Sequence, residues 1–164
     1  MNTLQEIVKR EETLDNRLRL LTQTIKFERQ NRGWSVETLA EISALHPQTI
    51  LHLENGTTTD PNLYTIYAIA KAFGTSVGWL TVGSVKYTTF TNAQYDYNRL
   101  GQQISFLRRS LGLSQRQFGE KIGKTKNQIS NYEHGYTDIR YITALKMVDG
   151  TQYDIDLLLD FLYL

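Results

Sequence analysis

The chain has 164 residues, no cysteine, 40% hydrophobic residues and a net charge of +1. That length divides into two small cores of about 80 residues more readily than into one large one. Without cysteine, disulfides and thiolate metal sites are excluded, which suits a reducing cytoplasm. The N-terminus lacks a charged-then-apolar signal pattern, and the longest apolar run, Ile155 to Leu164, is broken by Asp156 and Asp160 and is too short to span a bilayer. The reading is therefore a soluble cytoplasmic protein.

Laid over itself with a shift of 79 positions, the sequence repeats without a gap. Leu21, Gln23, Ile25, Phe27, Arg29, Gly33, Ser35, Glu41, Ile50, Glu54 and Gly56 fall on Leu100, Gln102, Ile104, Phe106, Arg108, Gly112, Ser114, Glu120, Ile129, Glu133 and Gly135. A long period seen only twice means two domains rather than a solenoid. The expected divisions are an N-terminal helical extension at 1–16, a first domain at 17–83, a linker at 84–96 and a second domain at 97–164.

In chain order, Leu4, Ile7, Leu14, Leu18, Leu21 and Ile25 keep an a/d helical spacing, with Asp15-Asn16 a candidate break. The first repeat follows. His46-Pro47-Gln48-Thr49 opens its third helix, and Leu51 and His52 continue the outward face. Ala44 stands where a turn glycine is expected, so left-handed backbone there costs roughly 1 kcal/mol. Asp60-Pro61 is the expected cap and first-turn proline of a fourth helix, in which Leu63, Ile66, Ile69, Ala70 and Phe73 form an apolar stripe. Trp34 and Trp79 are expected in the core. Residues 84–96 lack helical periodicity and read as an extended connector; Val85, Tyr87 and Thr89 alternate as a short strand would. Fully stretched, such a connector reaches about 43–47 Å, enough for two grooves one helical turn of about 34 Å apart.

The second repeat carries the denser signals. Leu100, Ile104, Leu107 and Leu111 make one helical stripe that Gly112 ends. Ser114 with Gln117 is a capping-box pattern, Phe118 and Ile122 face inward, and Gly123 allows a sharp turn. Thr125 with Gln128 is another box. It opens a helix with Ile129 and Tyr132 inward and Lys126, Asn127, Ser130 and Asn131 outward. Amides read adenine; cations read guanine or phosphate. Charge agrees, because 97–140 carries eight Lys or Arg against three acids, a net of +5, whereas 18–61 carries four against five, a net of −1.

Ile104-Ser-Phe-Leu-Arg108, Leu113-Ser-Gln115 and Ile129-Ser-Asn-Tyr-Glu133-His-Gly135 resemble the helix-turn-helix of the lambda repressor and Cro family. The resemblance implies an all-α fold: two tandem five-helix helix-turn-helix domains joined by an extended linker. It further implies that Lys126, Asn127 and Asn131 face base edges, that Gln115 grips a phosphate, and that Tyr136, Thr137 and Arg140 line the flanking backbone. Arg116, Thr125, Gln128 and Ser130 complete the expected DNA-binding set. Lys124 departs from the family, which favours a small apolar residue there, and its ammonium is expected to reach a phosphate. Glu133 is expected to pair with Arg108 and orient the reading helix, and Arg29 with Glu54 to do the same in the first repeat. FGTSVGWL at 73–80 resembles the family's closing turn and fifth helix.

In the first repeat Val36 replaces the gripping glutamine and Leu51 sits where Ser130 sits, so protein contact and weak DNA contact through Gln48, Thr49, Leu51 and His52 both stay open. The apolar tail Ile155, Leu157, Leu158, Leu159, Phe161, Leu162 and Leu164 is expected to join a subunit interface, giving a homodimer or higher homo-oligomer. His46, His52 and His134 lack metal-ligand spacing, and no phosphate loop or nucleophile–base pattern appears, so no enzyme, metal or cofactor is expected. The leading reading is a sequence-specific double-stranded DNA-binding transcriptional regulator, a repressor of phage or mobile-element type. The alternative is a protein-interaction adaptor, antirepressor or antitoxin-like, that keeps the scaffold.

Overall fold

The computed structural model describes residues 4–82 and 94–159, with side chains for 13–81 and 94–159. Among the described residues there are ten helices and no strand: α1 (Leu4–Asn31), α2 (Val36–Ser43), α3 (Pro47–Glu54), α4 (Leu63–Phe73), α5 (Val77–Val82), α6 (Tyr97–Ser110), α7 (Gln115–Ile122), α8 (Lys126–Glu133), α9 (Tyr141–Val148) and α10 (Ile155–Leu158). The sequence shift of 79 carries α2 onto α7 and α3 onto α8 residue for residue. Two compact units result, one per repeat, with Asn62–Tyr64 grouped with the second. The candidate strand at Val85, Tyr87 and Thr89 and most of the connector lie outside the described residues.

The first unit holds α1 to α3, most of α4, and α5. Leu21, Ile25, Leu39, Ile50, Leu53, Ile66, Ile69, Val77 and Leu80 are fully or almost fully buried, each contributing about 2 kcal/mol of transfer free energy. Asp15 and Asn16 do not break α1, because both face solvent and Asn16 accepts a hydrogen bond from Arg19 at 3.0 Å within the helix. The expected division at 16/17 therefore falls inside one continuous helix. Of its a/d residues, Leu14, Leu21 and Ile25 are buried and Leu18 is half-buried; the side chains of Leu4 and Ile7 lie outside the described residues. Pro61 is not in the first turn of α4 as expected. Asn62 after it is still extended, the helix starts at Leu63, and Pro61 is buried in the preceding loop. Trp34 and Trp79 are half-buried rather than core, and Trp34 stacks on Phe73 with centroids 5.9 Å apart.

Ala44 is the one described non-glycine residue with positive φ, at φ 54 and ψ 38, ending α2 in the left-handed region. Alanine pays a steric cost there that glycine avoids. Ala44→Gly is expected to stabilise the first domain by roughly 1 kcal/mol, read as an upward shift of its melting transition; an unchanged or lowered transition would contradict this.

The second unit begins with Asp96, whose side chain caps α6 by accepting from Asn98 N at 2.8 Å and Arg99 N at 3.2 Å. The connector thus ends in a capping residue. Leu100, Ile104 and Leu107 bury the inner face of α6, joined by Phe118, Ile122, Ile129 and Tyr141. Gly101 lets α6 and α8 approach backbone to backbone, since a Cβ there would meet Glu133 O at 2.4 Å. The first repeat has Thr22 at that position. Ile155, Leu158 and Leu159 are buried, with α10 packed on α6 and α9. Of the run expected at a subunit interface, these three residues are instead taken up inside their own domain, against α6 and α9. Phe161, Leu162 and Leu164 lie outside the described residues.

Candidate nucleic-acid interface

The reading unit is α7, a short turn and α8. Ser114 Oγ accepts from Gln117 N at 3.2 Å while Gln117 Oε1 accepts from Ser114 N at 2.9 Å, which satisfies two otherwise orphaned donors at the start of α7. Thr125 and Gln128 form the same reciprocal pair at α8, at 3.2 and 2.9 Å. Between them Gly123 takes φ 71, and Lys124 N donates to Gly119 O at 2.8 Å. Gly119 leaves room for this turn, since a Cβ there would lie 2.4 Å from Lys124 O. With Ile129 fully buried, the opposite side of α8 presents Lys126, Asn127 and Asn131 to solvent, with Ser130 half-buried beside them.

A buried polar network sets the angle of that helix. Arg108 Nε donates to Glu133 Oε1 at 2.5 Å and Nη2 to Oε2 at 3.2 Å, while Nη1 donates to the Leu113 carbonyl at 2.7 Å. Both side chains are nearly covered, 11% and 7% exposed. Gln115 Nε2 adds a bond to Glu133 Oε2 at 2.9 Å. Burial pushes the Glu133 carboxyl up, but the hydrogen bonds from Arg108 and Gln115 outweigh it and hold the group below the usual glutamate range. The first domain repeats the device: Arg29 bonds both Glu54 oxygens at 2.6 and 2.8 Å and the Trp34 carbonyl at 2.8 Å. The bond to Glu54 raises the Arg29 guanidinium against the opposing effect of burial. Val36 supplies no counterpart to Gln115.

The other expected residues divide by what holds them. Thr125 and Gln128 cap α8, and Gln115 is tied into the orienting network. Arg116 forms an exposed one-turn pair with Glu120 at 3.0 Å, a kind of bond that contributes below about 1 kcal/mol and leaves the cation near the surface. Lys124 is half-buried, Thr137 is exposed, and Arg140 is exposed at the N-cap of α9. Tyr136 is 74% exposed and stacks on His134 with centroids 5.4 Å apart. That stacked pair went unread in the sequence, as did Asp138, whose carboxyl burial raises against the opposing bonds from the Tyr95 hydroxyl at 2.7 Å and Ile139 N at 2.9 Å.

On the first domain, Gln48 Nε2 and His52 Nε2 lie 2.9 Å apart across one turn of α3, and Leu51 on the same helix is 39% exposed. Thr49 is half-buried, and its N–H donates to the His46 carbonyl at 2.9 Å, so it is less available than its neighbours. His46 Nδ1 caps α3 by accepting from Gln48 N at 3.2 Å. Among the described residues no group of three or more His, Cys, Asp or Glu is placed to hold a metal ion, and no helix is long and apolar enough to cross a membrane.

Comparison with curated proteins and with solved structures returned no match. A helix-turn-helix family model matches residues 25–80 and again 104–158, more than half of the chain and one match on each repeat. The chain belongs to the lambda repressor/Cro-like helix-turn-helix family of DNA-binding regulators and carries the domain twice in tandem.

Proposed function

We propose that the protein is a sequence-specific transcriptional regulator, a repressor of phage or mobile-element type, that lays α8 of its second domain in the major groove. The observation that carries this reading is the exposed row Lys126, Asn127 and Asn131 on a helix held by a buried ion pair, within a stretch of net charge +5. Asn127 and Asn131 have the donor–acceptor geometry for adenine edges, and Lys126 for guanine or phosphate. Lys124, Arg116, Arg140, Tyr136 and Thr137 supply the flanking phosphate contacts, and Gln115 joins them through whatever its bond to Glu133 leaves available. Ser130, Thr125 and Gln128 border the same surface. These cations and amides favour duplex DNA over the adaptor reading.

The test is selection of duplexes from a random-sequence pool by the full-length chain. A defined motif is expected, and base reading by α8 predicts that Asn127→Ala loses the preference at one position of that motif. Recovery of no motif, or of the same motif with Asn127→Ala, would overturn the proposal. Association into a homo-oligomer is part of the reading and is supported by the apolar Phe161, Leu162 and Leu164. Deleting residues 160–164 is expected to lower the mass seen by light scattering, and an unchanged mass would remove that part.

A further inference from the structure

The two helix-turn-helix units share their helix bounds but not their chemistry. Residues 36–54 contain three Glu and no Lys or Arg, a net of −3, whereas 115–133 contain four Lys or Arg and two Glu, a net of +2. The losses fall where a duplex would be clamped: Val36, Glu37, Leu45 and Pro47 stand at the positions of Gln115, Arg116, Lys124 and Lys126. Glu54 is consumed by Arg29, but Glu37 and Glu41 are exposed. A phosphate backbone laid on α2 and α3 meets two outward carboxylates and no Lys or Arg, which opposes binding to that face.

The outward stripe of α3 has changed in the same direction. Leu51 replaces a serine on the face that would enter a groove and is 39% exposed. Half-buried Pro47 lies one turn before it, and the Gln48–His52 pair flanks it. An apolar centre with a polar rim is the layout of a protein interface. The acidic surroundings specify the sign of what covers it.

We infer that the α2–α3 face of the first domain docks a protein segment that presents an aliphatic or aromatic side chain to Leu51, flanked by Lys or Arg that meet Glu37 and Glu41. The first domain is then the input side of the regulator, receiving a cationic protein ligand through the scaffold that the second domain uses for DNA. This assignment stands on the first domain's own residues, and the variants that test it lie outside α8.

The experiment is selection of a random peptide library displayed on phage by the full-length chain. Winning peptides are then titrated by fluorescence anisotropy against wild type, Leu51→Ser and the double variant Glu37→Arg/Glu41→Lys. The expected winners carry one large apolar residue among Lys or Arg. They bind about tenfold more weakly to Leu51→Ser, as for loss of a central anchor, and weakly to the charge-reversed variant. All three positions are exposed, so circular dichroism should be unchanged. Failure to enrich such peptides, or equal affinity for the variants, would overturn the inference. So would Gln48→Ala or His52→Ala lowering duplex affinity, which assigns the face to DNA. A concentration-dependent mass that Leu51→Ser abolishes would assign it to a second copy of the chain and overturn it equally.

Discussion

Glu133→Ala is expected to destabilise the second domain by about 3–5 kcal/mol, because it leaves the nearly buried Arg108 guanidinium without its counter-ion. The loss is larger than for an ordinary surface pair, since three N–H groups from two residues converge on this carboxylate. A small domain has little more than that to lose. Chemical denaturation should show the second domain unfolding at much lower denaturant while the first, with its own Arg29–Glu54 pair, keeps its transition. The pH dependence follows from the direction of the shift. A carboxylate held below its ordinary range contributes stability that is present above that range and is lost as pH falls through the folded value. Wild type should therefore lose stability on acidification more steeply than Glu133→Gln, and the two should converge in acid. Arg116→Ala, which breaks an 80%/62% exposed pair, should change stability by less than about 0.5 kcal/mol. Equal effects of Glu133→Ala and Arg116→Ala would remove the orienting role of the network.

The second large effect is on DNA. Lys126→Ala, Asn127→Ala and Asn131→Ala should each cost about 1–3 kcal/mol of specific affinity, and the triple variant about two orders of magnitude or more. Stability should hardly move, because all three side chains project into solvent from a helix that is anchored by Ile129 on its other side. The variants should also differ in kind. Asn127→Ala should flatten discrimination at one base pair, whereas loss of Lys126 should weaken cognate and unrelated duplexes together if it meets phosphate. Titrations of each variant with the selected duplex and with a scrambled one separate these outcomes. A triple variant that binds like wild type would show that α8 does not enter the groove.

Local chemistry made much of this legible in the sequence. The Ser114–Gln117 and Thr125–Gln128 boxes and the turn glycine Gly123 mark the ends of α7 and α8, because caps and left-handed turns are decided by residues three or four apart. The Arg108–Glu133 pair joins residues 25 apart and was expected only through the family resemblance. What the sequence hid are relations that exist only once helices are packed. The bond from Gln115 to Glu133 spans 18 residues, and the close approach at Gly101 depends on the α6–α8 crossing. Tyr141 is wholly buried in α9, a helix whose counterpart was easier to read in the first repeat, where Leu63, Ile66 and Ile69 mark it. The apolar tail was visible as a run, but whether a domain has room for it is a property of the groove between α6 and α9.

If the second domain grips a duplex by its phosphates while α8 reads the bases, as proposed, its binding must weaken steeply as salt rises. If Arg116, Lys124, Lys126 and Arg140 each neutralise one phosphate, log Kd plotted against log salt should rise with a slope of about 3–4 per bound domain, so that a fourfold increase in salt weakens binding by about two orders of magnitude. Replacing Lys124 and Arg140 together by alanine should lower that slope by about 2 while leaving base preference intact. A flat salt dependence for the wild-type chain, with affinity indifferent to these replacements and to Asn127→Ala, would contradict the account.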